Sequence, residues 1–151
     1  MTTSLDILKI ARQNVLKLID GLSLEKLNKI PEGFTGNIVW HVGHLVATQQ
    51  GLLYTLSGNA TNLDKSYIDK YKKGSKPEAP VTQAELDFIL AELIRQPEQL
   101  EKDMAANKFA NYNQYSTSFG NTIHNFDEAL SFVGVHEGMH IGYIMALKRC
   151  L

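Results

Sequence analysis

Cysteine is almost missing from this sequence. Cys150 is the only one among 151 residues, so an intrachain disulfide is impossible and a reducing, cytoplasmic setting is expected. A basic excess is missing as well: 15 Lys and Arg stand against 16 Asp and Glu, a formal charge of −1. That balance offers no surplus for neutralising phosphates, which counts against nucleic acid as a partner. Met1 to Asp6 provide no basic stretch, apolar core or small-residue cleavage site, so secretion is not expected. One stretch without formal charge, Ile38 to Leu56, approaches the length that spans a bilayer. His41, His44, Thr48, Gln49 and Gln50 within it would be expensive in lipid, and it reads as a buried helix of a soluble chain with no membrane partner. Internal repeats, low-complexity tracts and a convincing set of strands are also lacking.

What the sequence does contain is a succession of helical patterns. Leu5, Leu8, Ala11, Val15, Leu16 and Ile19 recur with helical period between Ser4, a candidate N-cap, and Gly21, a candidate C-cap. Ser23 begins a short helical turn through Asn28, and Pro31 and Gly33 then interrupt the chain. Asn37 can cap a second long helix, Ile38 to Ser57, with Gly58 ending it. Residues 59–80 combine Gly74, Pro77 and Pro80 with five lysines. This favours an exposed connection with a helical turn around Tyr67 to Tyr71, its lysines either simply solvated or available to an anionic substrate. Thr82 and Glu85 form a capping-box pattern ahead of Leu86, Ile89, Leu90, Leu93 and Ile94, a helix that Pro97 is expected to kink. Residues 105–124 show no helical period and read as a loop over the bundle, with Tyr112, Tyr115 and Phe119 covering core. Asn125 and Glu128 open a last helix to about Arg149. Four long helices and no sheet predict an all-α four-helix bundle, one domain over residues 1–151.

Two histidines interrupt the apolar stripe of that last helix. His136 and His140 stand four residues apart, so they point about 40° from one another, one turn above the next. Ala129, Phe132, Val133, Tyr143, Ile144 and Leu147 share their face. Burying imidazoles there requires their nitrogens to be satisfied, either by backbone carbonyls and hydroxyls or by a metal ion. His136-Glu137-Gly138-Met139-His140 also satisfies the H-E-x-x-H pattern of zinc peptidases, in which the glutamate activates water. The extended pattern fails, because Tyr143 stands where glycine is wanted and Ala146 where a third histidine is wanted. Glu137 lies about 100° from His136 and reads as a bundle-surface residue, with a base role as the alternative; Tyr143 reads as core packing, with a hydroxyl role as the alternative.

A third ligand would come from the second long helix. Its stripe of Ile38, Val42, Leu45, Leu52 and Leu56 lies nearer His41 than His44, which by periodicity favours His41. Gly43, Ala47 and Gly51 on that helix, and Gly134, Gly138 and Gly142 on the last, recur at intervals of four. Glycine costs about 1 kcal/mol relative to alanine inside a helix, so these faces predict either close contact between the two helices or a dimer interface.

The string Asn37-Ile38-Val39-Trp40-His41-Val42-Gly43-His44-Leu45, followed by His136-Glu137-Gly138-Met139-His140-Ile141-Gly142-Tyr143-Ile144, resembles the DinB-like superfamily of metal-dependent enzymes over nearly the whole chain. The resemblance implies a four-helix bundle of up-down-down-up type with long connections. It implies a three-histidine metal site of His44, His136 and His140, selecting His44 where periodicity leans to His41 and leaving His41 to support or pack. It further implies a divalent ion, zinc or nickel and alternatively iron, and a low-molecular-weight thiol, as in thiol-dependent isomerases and S-transferases. The expected function is a metal-dependent S-transferase or hydrolase acting on a small molecule as a homodimer. The competing expectation is a non-catalytic dimeric metal-binding or stress-response bundle.

Overall fold

The computed structural model describes residues 3–151, so Met1 and Thr2 of the leader reading lie outside the described residues. Six helices run Ser4–Ile19 (α1), Leu24–Asn28 (α2), Ile38–Gln49 (α3), Lys65–Tyr71 (α4), Gln83–Ala105 (α5) and Phe126–Arg149 (α6). A two-stranded antiparallel hairpin, Tyr115–Ser116 (β1) with Thr122–Ile123 (β2), interrupts the loop expected between α5 and α6. The caps explain most boundaries. Asn37, Thr82 and Asn125 each accept a hydrogen bond from the backbone three residues on, satisfying an otherwise free helix donor. Thr3, not Ser4, caps α1, in a reciprocal box with Asp6. Glu85 leaves its box incomplete, because its carboxylate bonds Lys70 and the Tyr71 hydroxyl instead.

Beyond Gln49, α3 widens into a π-helical turn, Gln50–Tyr54, then tightens into a 3₁₀ turn, Thr55–Ser57, and ends where Gly58 takes the left-handed conformation at φ 74°. The expected kink at Pro97 is not a break: α5 continues through it. Proline leaves the Leu93 carbonyl without its helical donor. The buried Arg12 guanidinium donates to that oxygen at 3.4 Å.

Side-chain pairs fix the topology. Ser4 meets Ser131 and Lys148 reaches the Leu18 carbonyl, so α1 and α6 run parallel. Lys9 pairs with Glu101, which turns α5 antiparallel to α1, and Tyr54 meets Asp103, which sets α3 along α5. The order is up-down-down-up. Two apolar clusters fill the bundle: one around Val15, Val42, Leu45, Ile89, Leu93 and Ile144, the other around Leu8, Leu53, Leu100, Ala129 and Val133. No helix among the described residues is long and apolar enough to cross a membrane.

The glycine periodicity has a different cause from the one expected. A Cβ on Gly43 would lie 2.5 Å from the Tyr71 ring, so its absence seats α4 on α3, not α6 on α3. Gly134 faces Ile7 of α1, with an added Cβ at an ordinary 3.7 Å. Gly138 and Gly142 are exposed with open space around them, which removes the helix-contact explanation for both.

Candidate metal centre

His41 and His44 come from the second turn of α3, which Asn37 starts in register, and His136 and His140 from the middle of α6, which crosses it antiparallel. All four are buried. His44 Nε2 lies 3.3 Å from His136 Nε2, and His140 Nε2 lies 3.2 Å from the same atom. The structure thus brings His44, His136 and His140 together, with one nitrogen of each inside a common span of 4.8 Å. Ligand nitrogens about 2.0–2.1 Å from a tetrahedral ion stand about 3.3 Å from one another, the spacing of His136 Nε2 from each of its two partners.

The outer nitrogens are held too. His44 Nδ1 donates to the Tyr71 carbonyl at 2.6 Å, which fixes the neutral ring with its Nε2 lone pair facing inward. His140 Nδ1 meets His41 Nδ1 at 2.8 Å. With a ligating Nε2 on His140, its Nδ1 carries the proton and His41 accepts it. His41 therefore stands behind His140, outside the cluster, and the stripe argument that favoured it as a ligand is corrected. That argument failed because α3 is buried all round, by α4, α5 and α6 together.

The other two nominated residues stand away from the cavity. Glu137, expected at the surface, is fully buried and turned into the bundle. Its Oε1 accepts from Arg12 at 2.7 and 2.8 Å, and its buried Oε2 has no partner among the described residues. Burial pushes this carboxyl up, against the pull of the guanidinium. Tyr143, expected in the core, is half exposed; its ring stacks on His41 with centroids 5.0 Å apart. His124 is exposed, away from the others.

Burial lowers His41 and the three cluster histidines from the ordinary value of 6.5, His41 to about 4, His136 to about 3 and His140 to about 2. Desolvation disfavours the imidazolium, and neighbouring histidines add to the effect for His41, His136 and His140. Neutral rings at pH 7 are the form that binds metal. Chemically, the cluster is a set of three neutral nitrogen donors able to hold a divalent ion.

The cluster opens into a cavity of about 240 Å³. Thr48 of α3 stands beside it, its hydroxyl 3.2 Å from His44 Nε2. Leu52, Phe132 and Met139 form apolar walls, and Tyr115, Thr117, Ser118 and Phe119 of the hairpin close one side. Lys73 reaches the same cavity from beyond α4. Phe119 and Tyr115, expected only to cover core, are thus cavity walls. A larger hollow of about 470 Å³ lies on the far side of Trp40, lined by Asn37, Asp69, Lys70 and Ser75. Trp40 separates the two, stacked on His44 at 4.8 Å and 12° with its indole N–H donated to Ser75 at 3.1 Å.

Sequence reasoning missed Arg12 and Lys73. Arg12 left a signal, a charge inside the apolar stripe between Leu8 and Val15. Lys73 left none that sets it apart from its neighbouring lysines.

The sequence profile of the DinB superfamily matches residues 7–144, and the chain belongs to that superfamily. No curated protein matches it.

Proposed function

We propose that this DinB-superfamily chain is a metal-dependent enzyme, of the thiol S-transferase or hydrolase type, that acts on a small molecule at the three-histidine cluster. The observation that carries the reading is the convergence of three Nε2 atoms at 3.2 and 3.3 Å, with the His44 tautomer set by the Tyr71 carbonyl. His44, His136 and His140 are the ligands on this reading, and the ion is zinc or nickel, with iron as the alternative. A divalent ion held by three neutral ligands keeps its full charge and an open position, where coordinated water or thiol is acidified. His41 and the Tyr71 carbonyl hold the ligand rings in orientation. Thr48 offers a hydroxyl at the cavity edge, and Phe119, Phe132 and Met139 keep water from the side they cover. Glu137 takes no part as a base, since its carboxylate is committed to Arg12 outside the cavity.

The reading includes a cytoplasmic homodimer. Val135, Met139, Tyr143 and Met145 leave an exposed apolar stripe on α6, where Gly138 and Gly142 permit close approach of a second copy.

The test is metal analysis of untagged protein, wild type and single His→Ala variants, followed by thiol and ester panels on loaded and stripped protein. One ion per chain, lost in His44→Ala, His136→Ala and His140→Ala, is expected, with turnover only in loaded protein. Full stoichiometry in all three variants would overturn the site. Binding without any turnover, by a dimer, would favour the non-catalytic bundle.

A further inference from the structure

Lys73 is the cation for which the reading above has no use. Of the five lysines in residues 59–80, Lys65 and Lys72 pair with Asp69, and Lys70 pairs with Glu85. Lys76 lines the hollow behind Trp40. Lys73 lines the histidine cavity, and among the described residues it forms no ion pair.

The remainder of that lining contains neither aspartate nor glutamate, in a chain with 16 acidic residues. Glu137, adjacent to a cluster histidine in sequence, turns away and is balanced by Arg12. A divalent ion on three neutral rings would add two positive charges to that of Lys73. No protein group in the cavity wall offsets them, and a partly dehydrated cavity of one sign concentrates ligands of the other. The walls between the histidines and solvent are apolar, formed by Leu52, Phe119, Phe132 and Met139. At about 240 Å³ the cavity falls below the roughly 300–1,000 Å³ of drug-sized pockets, which limits the occupant to a small molecule.

Resting on the metal-dependent reading, we propose that the cavity selects small ligands with two anionic ends: a thiolate directed at the three histidines and a carboxylate read by Lys73, joined by an apolar span. Lys73 is a specificity-determining residue in this arrangement, and Ser118 lines the same cavity with its hydroxyl as a further donor for the carboxylate, that of Thr117 being given to Asn121 Oδ1.

The experiment is calorimetric titration of zinc-loaded protein at low ionic strength with 3-mercaptopropionate and 4-mercaptobutyrate, each paired with its uncharged amide. The acids are expected to bind more tightly than the amides. Lys73→Gln, a change at an exposed position, should cut that preference about three- to five-fold, the scale of one accessible ion pair, and added salt should do the same in the wild type. Lys76→Gln changes the net charge equally outside the cavity and should leave the preference intact. Equal binding of acids and amides, or a preference that survives Lys73→Gln, would overturn the assignment, as would an equal loss in Lys76→Gln. If zinc-loaded wild type takes up neither acids nor amides, the thiol reading of the site falls and this proposal falls with it. That result differs from the others because the amides fail too.

Discussion

Replacing Arg12 with methionine removes the only counter-charge that the buried Glu137 has among the described residues. Arg12 gives Glu137 Oε1 two contacts, at 2.7 and 2.8 Å, and bonds the Leu45 and Leu93 carbonyls at 3.0 and 3.4 Å. Breaking a buried pair from one side costs about 3–5 kcal/mol, because the remaining charge cannot be solvated. The carboxyl can escape by taking up a proton. At pH 7 that costs about 3.4 kcal/mol for a group of ordinary pKa 4.5, which caps the charge penalty. The Leu93 carbonyl, which Pro97 cannot serve, adds about 1–3 kcal/mol when left bare. A loss of about 4–6 kcal/mol is a large part of the 5–15 kcal/mol that holds a domain folded. Urea unfolding at pH 7 and pH 5 measures it. In the variant the folded-state pKa of Glu137 rises further, so its penalty is full above that pKa and fades as pH falls toward 4.5. The deficit against wild type should therefore shrink on going to pH 5, by up to about 2.7 kcal/mol. Arg12→Met with Glu137→Met should recover all but the carbonyl's share. A single variant within 1 kcal/mol of wild type, or a deficit equal at both pH values, would refute a charged buried pair.

Three further outcomes follow from geometry already described. Gly43→Ala places a methyl against the Tyr71 ring and should cost about 1–3 kcal/mol; a thermal melt unchanged or raised in that variant would contradict this. His41→Phe should weaken metal binding about 10–100-fold, with partial recovery in His41→Asn, whose carbonyl oxygen can accept from His140 Nδ1. Chelator competition reads the change, and unaltered affinity in the phenylalanine variant would reduce His41 to packing. Because burial holds His41 at about 4 and His136 at about 3, the neutral rings stabilise the fold fully above 6.5, and that stability is lost as pH falls toward those values. For His41 alone the loss is about 3 kcal/mol by pH 4, so urea midpoints of metal-free protein that stay flat from pH 7.5 to 4.5 would rule it out.

The helices were legible because local rules decide them. Asn37, Thr82 and Asn125 bond backbone groups three residues away, and Gly58 needs only its own φ. Sidedness was less legible. A single stripe identifies the inner face of α1, whose outer face is wet, but α3 is covered on all sides, so its period could not rank His41 against His44. On α6 the 100° between His136 and Glu137 was sound geometry, and the error lay in assigning solvent to Glu137's side when α1 and its Arg12 occupy it. The glycine spacing misled for a related reason. Gly43 answers to Tyr71, on a seven-residue helix inside what reads as a lysine-rich loop. The hairpin that walls the cavity pairs only two residues on each strand, too few to leave an alternation in the sequence.

The position of Trp40 makes the centre observable from outside. It is the only tryptophan in the chain, and its indole lies flat on the His44 ring. If His44 holds the ion, an open-shell ion such as copper(II) or nickel(II) would quench the emission of the indole stacked on that ring, while zinc, with a filled d shell, would not. On the metal-dependent reading, that stacking would serve as a built-in optical gauge of both occupancy and the electronic character of the occupant, without any added label.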